Sequence, residues 1–130
     1  MKDEIAQMLK QDGGAIVNNS SNCGLVGADG VPVYSAAKHG GVGLTKTAAI
    51  KYAQVGIRVN AVCPGPVETP MVGNIVARQP EIVAAITARE PIGRRGQLHA
   101  IATAVVWLCS DEASVVVRAA LPVDGGYVAQ

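Results

Sequence analysis

Apolar positions along this chain repeat with either the helical or the strand period, and each switch of period marks an element. Residues 3–11 place Ile5, Met8 and Leu9 on one side of a helix, and Asp12-Gly13-Gly14 stops it. Ala15-Ile16-Val17-Asn18-Asn19 reads as a short strand, followed by a polar, glycine-bearing loop through Gly30. Pro32 opens a helix expected to reach about Gln54, carrying Leu44, Ala48, Ile50 and Ala53, with Gly56 as its end. Ile57-Arg58-Val59-Asn60-Ala61-Val62 alternates and is rich in β-branched residues, so it is the next strand, stopped by Pro64-Gly65-Pro66.

The pattern is weaker over residues 70–95. Pro70, Pro80 and Pro91 punctuate an irregular stretch with one expected helix, Glu81 to Arg89, and Gly93-Arg94-Arg95-Gly96 closes it. Residues 98–109 form a strongly apolar helix with Ile101, Val105, Trp107 and Leu108, and Trp107 is assigned to its buried face. Ala120-Leu121-Pro122-Val123 is a last short strand before Asp124-Gly125-Gly126. Strands alternating with helices in this order predict an α/β fold, a parallel sheet with right-handed crossovers. Residues 1–130 suit a single domain.

Composition narrows the partners. The chain is 49% hydrophobic with no Phe, so small side chains must provide the packing. A net charge of +1 with dispersed charges gives no footprint for nucleic acid or an anionic membrane. A small-molecule partner is expected instead. Cys23, Cys63 and Cys109 show neither disulfide nor zinc spacing, so no metal site is expected and a reducing, cytoplasmic compartment fits. No apolar run approaches the roughly 18 residues of a membrane span, and the first residues lack the apolar core of an export signal. His39 and His99 are assigned to the surface, Cys63 and Cys109 to the core, and Asn60 to a buried structural hydrogen bond.

The candidate chemistry lies in Tyr34-Ser35-Ala36-Ala37-Lys38, with Ser21 thirteen residues before the tyrosine. Positions i and i+4 share a helix face, so the Lys38 ammonium can favour the ionised form of the Tyr34 phenol. A free phenol has a pKa of about 10, and lowering it makes a usable base near neutrality. This is equipment for proton transfer.

Four ordered segments together resemble the short-chain dehydrogenase/reductase family. Gly14-Ala15-Ile16-Val17-Asn18 with Ser20-Ser21, then Tyr34-Ser35-Ala36-Ala37-Lys38, is similar to its catalytic strand and helix. Residues 57–62 with Pro64-Gly65 resemble its next strand and cofactor turn, and Leu121-Pro122-Val123-Asp124-Gly125-Gly126 its closing strand. The resemblance implies the C-terminal portion of a Rossmann-like, doubly wound parallel sheet with about three parallel strands. It also implies an NAD(P)-dependent oxidoreductase interconverting a secondary alcohol and a carbonyl compound.

Residue by residue, the resemblance makes Tyr34 the general acid/base, Lys38 a hydrogen-bond donor to the nicotinamide ribose, and Ser21 the hydroxyl that polarises the substrate carbonyl. Ser20 better suits strand-end backbone bonding. In the turn that would receive the nicotinamide of NAD or NADP, Pro64 and Gly65 shape the backbone, with Gly65 permitting close approach. The Val67 backbone bonds the carboxamide, and the Thr69 hydroxyl reaches carboxamide or phosphate. Residues 70–95 fall where relatives place a substrate lid, and Met71, Val72, Ile75 and Val76 imply a partly apolar substrate.

Several family features are missing. The glycine-rich TGxxxGxG turn and the NNAG segment do not occur, residues 1–12 contain no Asn for the family's proton relay, and Gln97-Leu98-His99-Ala100 replaces a Pro-Glu-Glu helix start. Val117-Arg118-Ala119 stands where relatives carry Thr-Gly, which disturbs a turn that needs glycine. The resemblance therefore places residue 1 about halfway through the family's sheet. It predicts a nicotinamide half-site only, little or no activity for these residues alone, and an unsatisfied edge on the strand at 15–20. The helix at about 32–54 is the expected homo-oligomer contact. The alternative is a degenerate or regulatory fragment that associates with full-length relatives without catalysis. A phosphate- or nucleotide-binding module without redox chemistry is a further reading, opposed by the absence of a glycine-rich phosphate loop.

Overall fold

The computed structural model describes residues 1–129. Three parallel strands, β1 (Gly14–Asn19), β2 (Ile57–Pro64) and β3 (Ala120–Val123), stand in the order β1-β2-β3. Each crossover carries helix: α1 (Lys2–Met8) precedes β1, α2 (Pro32–Tyr52) joins β1 to β2, and α3 (Pro70–Arg78), α4 (Pro80–Ala88) and α5 (Leu98–Cys109) join β2 to β3. This is the expected open α/β sheet.

The central strand is the most apolar because it is covered on both faces. Ile57, Val59, Ala61, Val62 and Cys63 are fully buried, and Ala48 and Ala49 of α2 pack with Ile5 of α1 against Ile57 and Val59. Gly56 ends α2 and its 3₁₀ extension in the left-handed region at φ 76°, as the sequence indicated. Asn60 is the expected buried hydrogen-bonder. Its Nδ2 donates to the Val116 carbonyl at 2.8 Å and its Oδ1 accepts from the Ala119 N–H at 2.9 Å, filling a gap where the chain approaches β3 irregularly.

Four details differ from the sequence reading. β2 runs two residues further, through Pro64; pairing with β1 ends at Asn19–Val62, so the missing proline N–H costs no ladder bond there. The 70–95 stretch holds two helices instead of one. Pro70 and Pro80 each sit at a first helical position, where no N–H is needed, so they open helices instead of interrupting them. On α5 the stripe facing inward is Ile101, Val105 and Leu108, spaced i, i+4 and i+7. Trp107, 39% exposed, and Cys109, also exposed, flank that stripe and do not fill the core.

Arg58 closes α5 from below. Its guanidinium donates to the Leu108 and Ser110 carbonyls at 2.8 and 3.0 Å, supplying the cation that the last turn of α5 lacks. At the other side of the sheet, β1 is an edge strand, with no partner on its outer side among the described residues. No helix of the described residues is long and apolar enough to cross a membrane, and no group of three or more metal-ligating side chains occurs among them.

Candidate active site

The C-terminal ends of β1 and β2 lie side by side, since Asn19 pairs with Val62; Ser21, Tyr34 and Lys38 follow the end of β1, and Pro64, Gly65, Val67 and Thr69 stand at or after the end of β2. Open parallel sheets bind ligands there. Tyr34 and Lys38 stand one turn apart at the start of α2, with the Lys38 ammonium 5.5 Å from the centre of the Tyr34 ring. The ammonium also donates to the Asn19 carbonyl at 3.2 Å, which fastens it to the end of β1. Tyr34 is 46% exposed.

The loop after β1 is held tightly on α2. Ser20 Oγ donates to the Lys38 carbonyl at 3.1 Å, a backbone bond made to α2 instead of the strand end expected of it. Gly24 makes this approach possible, because a Cβ there would come within 2.6 Å of Ser20 Oγ and 2.9 Å of the Lys38 carbonyl oxygen. Ser21 is buried at the start of a 3₁₀ turn. Its hydroxyl donates to Asn22 Oδ1 at 3.0 Å and accepts from the Cys23 N–H at 3.2 Å. Its partners are thus on its own loop, and contact with a substrate requires it to exchange Asn22 for that substrate. Nothing in the sequence singled out Asn22. Next to this loop, burial pushes the Cys63 thiol up, partly offset by hydrogen bonds from Ser21 and Ser20.

The second group, Pro64, Gly65, Val67 and Thr69, follows β2. Gly65 meets a close approach, but the approaching groups belong to the protein: a Cβ there would lie 2.7 Å from Glu90 Oε1 and 2.9 Å from Asp124 Cα. Val67 forms a parallel bridge with Gly96, using the Gly96 N–H to the Pro66 carbonyl and the Glu68 N–H to the Gly96 carbonyl, both at 2.9 Å. A parallel bridge of this kind uses the groups flanking Val67, so its own N–H and carbonyl point to the opposite side. Thr69 caps α3, accepting from the Val72 N–H at 3.2 Å, and its hydroxyl proton is left for another acceptor.

The segment between the bridge partners forms a closed loop on the sheet. Glu68 holds its two ends together, accepting from Gln97 Nε2 at 2.6 Å and pairing with Arg95 at 3.5 Å. On α3 and α4, Met71, Ile75, Ile82 and Ile86 remain exposed. Glu90 is the functional candidate that the sequence did not mark: a lone acidic residue before a proline gives no sign of being 3% exposed. Burial and the neighbouring Asp124 charge raise its carboxyl from 4.5 to about 7, with Arg95 opposing.

Residues 1–128 match the family model described as enoyl-(acyl carrier protein) reductase. The chain belongs to the short-chain dehydrogenase/reductase family. Within that family it is 48% identical over 128 residues to the cis-4-hydroxycyclohexanecarboxylate dehydrogenase of Sinomonas cyclohexanicum, a match covering 98% of this chain and 50% of that protein. It is 43% identical over 130 residues to the cyclohexanol dehydrogenase of Acinetobacter sp. (strain SE19), covering 100% of this chain and 49% of that enzyme. The solved structure of ElxO with NADP bound superposes with a TM-score of 0.93 at 33% identity, over 100% of this chain and 52% of ElxO. The short-chain dehydrogenase/reductase fold is therefore present over the whole chain, which spans about half the length of the curated relatives it matches.

Proposed function

We propose that this chain carries the substrate and nicotinamide half of an NAD(P)-dependent oxidoreductase that interconverts a secondary alcohol and a carbonyl compound. The observation that carries the reading is the Lys38 ammonium, fixed between the Asn19 carbonyl and the Tyr34 ring at the C-terminal edge of the sheet. One of its three donors is used by Asn19, and two remain for a ribose hydroxyl and the phenol oxygen. The outward backbone groups of Val67 suit a carboxamide, which needs one donor and one acceptor, and the Thr69 hydroxyl can donate beside them. These groups fit NAD or NADP, whose nicotinamide supplies or accepts the hydride when bound.

In alcohol oxidation, Tyr34 as phenolate takes the hydroxyl proton as hydride leaves the carbinol carbon; in reduction it returns a proton to the carbonyl oxygen. Ser21, turned from Asn22, donates to the substrate oxygen as charge develops on it. The exposed apolar side chains of α3 and α4 favour a partly apolar substrate, and two relatives are named for ring alcohols, so a cyclic secondary alcohol is the substrate class we assign.

No glycine-rich TGxxxGxG turn lies within these residues, so the chain alone lacks the pyrophosphate grip and is expected to hold a dinucleotide weakly. A second copy is the partner assigned to α2, where Leu44, 57% exposed, lines a cavity of about 380 Å³ together with Met1, Ile5 and Tyr52, and Ile50 is 63% exposed. The test is a chimera joining this chain to the preceding half of the Sinomonas dehydrogenase. It should oxidise cyclohexanol-type alcohols with NAD or NADP and lose about 10²-fold or more in kcat/KM on Tyr34→Phe. A folded chimera without turnover, but forming hetero-oligomers with intact relatives, would instead favour the non-catalytic reading.

A further inference from the structure

Glu90 stands two residues beyond α4, where the 70–95 segment returns to the sheet, and its side chain is enclosed by two turns. On one side is the 64–66 turn, with Gly65 close enough that a Cβ there would meet Glu90 Oε1 at 2.7 Å. On the other is the 124–126 turn after β3. Gly125 accepts from the Ile92 N–H at 3.1 Å, a Cβ on Gly125 would collide with Ile92, and one on Gly126 would come within 3.1 Å of Pro91. Glu90 is 3% exposed, and its Oε1 has no hydrogen-bond partner among the described residues. An ionised carboxylate in such a place is an uncompensated buried charge; a neutral carboxyl is tolerated at much lower cost.

Of the charged neighbours, Asp124 reinforces this asymmetry and Arg95 opposes it. From the turn after β3 comes Asp124, whose two oxygens accept from the Gly126 and Val128 N–H groups, each at 3.0 Å. From the loop before α5 comes the Arg95 cation, and Arg94 lines the same cavity of about 290 Å³ as Glu90 and Asp124. The 64–66 turn contributes Pro64, Gly65 and Pro66, and α5 contributes Ala100 and Ile101, none of them charged.

We propose that Glu90 is a positioning residue, a proton-controlled clasp that fastens the C-terminal end of the 70–95 segment between the 64–66 and 124–126 turns while neutral and loosens it on ionising. The fastened carboxyl is raised to about 7, by burial first and Asp124 second, whereas a released one titrates near 4.5. Fastening is therefore strongest below pH 4.5, weakens by up to about tenfold per pH unit between those two values, and is constant above about 7. The clasp itself does not depend on the oxidoreductase reading.

Hydrogen exchange of the 80–96 region, corrected for intrinsic rate and followed from pH 4.5 to 8.5, tests the clasp. In the wild-type chain the opening constant should rise with pH and level off near 7, and Glu90→Gln, which cannot ionise, should abolish the rise. A flat wild-type profile, or an unchanged slope in Glu90→Gln, would overturn it. Should that variant not fold, carboxyl ¹³C NMR of the wild-type chain decides: a glutamate titrating near 7 supports the clasp, and Glu90 titrating near 4.5 refutes it. No nucleotide enters either measurement, so a failed clasp and a failed oxidoreductase assignment, read from the chimera, remain distinguishable.

Discussion

Lys38 donates to the carbonyl of Asn19 across 3.2 Å, and that bond joins the first turns of α2 to the end of β1. It fixes the ammonium at a strand end instead of leaving it to sweep through solvent. Lys38→Met should consequently leave the fold intact, because the lost bond is exposed, while reducing kcat/KM of the chimera by about 10²-fold or more. Circular dichroism and steady-state kinetics on one preparation check both halves of that expectation.

Arg118 holds a left-handed backbone, φ 68°, where relatives were expected to carry glycine, and its N–H still donates to the Val59 carbonyl at 3.1 Å. The turn has kept its shape and the arginine bears the strain. A non-glycine residue there costs about 1–2 kcal/mol, partly offset by the greater freedom glycine brings to the unfolded chain. Arg118→Gly should therefore raise stability by about 0.5–1 kcal/mol, seen as a higher urea midpoint with unchanged slope. An unchanged or lower midpoint would show that the backbone there is relaxed.

The cysteines should react in order of access. Cys109 is exposed and should be modified by a thiol reagent in the folded chain, while Cys63, fully buried with its thiol pushed up by burial, should react only on unfolding. Mass spectrometry after brief labelling distinguishes them. Rapid labelling of Cys63 in the folded chain would contradict the placement of β2 at the centre of the sheet.

What the sequence revealed was the part written in local patterns. Alternation at 57–62 and the helical spacing of Tyr34 and Lys38 located β2 and α2, because both depend on neighbours along the chain. The second helix of the 70–95 stretch was hidden because a proline reads alike whether it begins a helix or breaks one, and only the first-turn position of Pro70 decides. Trp107 was misplaced on size: its ring is large enough to suggest a core, but Leu108 occupies the inward stripe. Glu90 was invisible because its burial is created by turns near residues 65 and 125, far away in sequence.

The central claim is that Tyr34, Lys38 and the 64–69 turn form one nicotinamide half-site, and the most direct measurement is amide NMR of this chain titrated with reduced nicotinamide mononucleotide. Shift changes confined to residues near 19–21, 34–38 and 64–69, with millimolar affinity and loss of the response in Lys38→Ala, are predicted. Changes centred elsewhere, or an undiminished response in that variant, would contradict it.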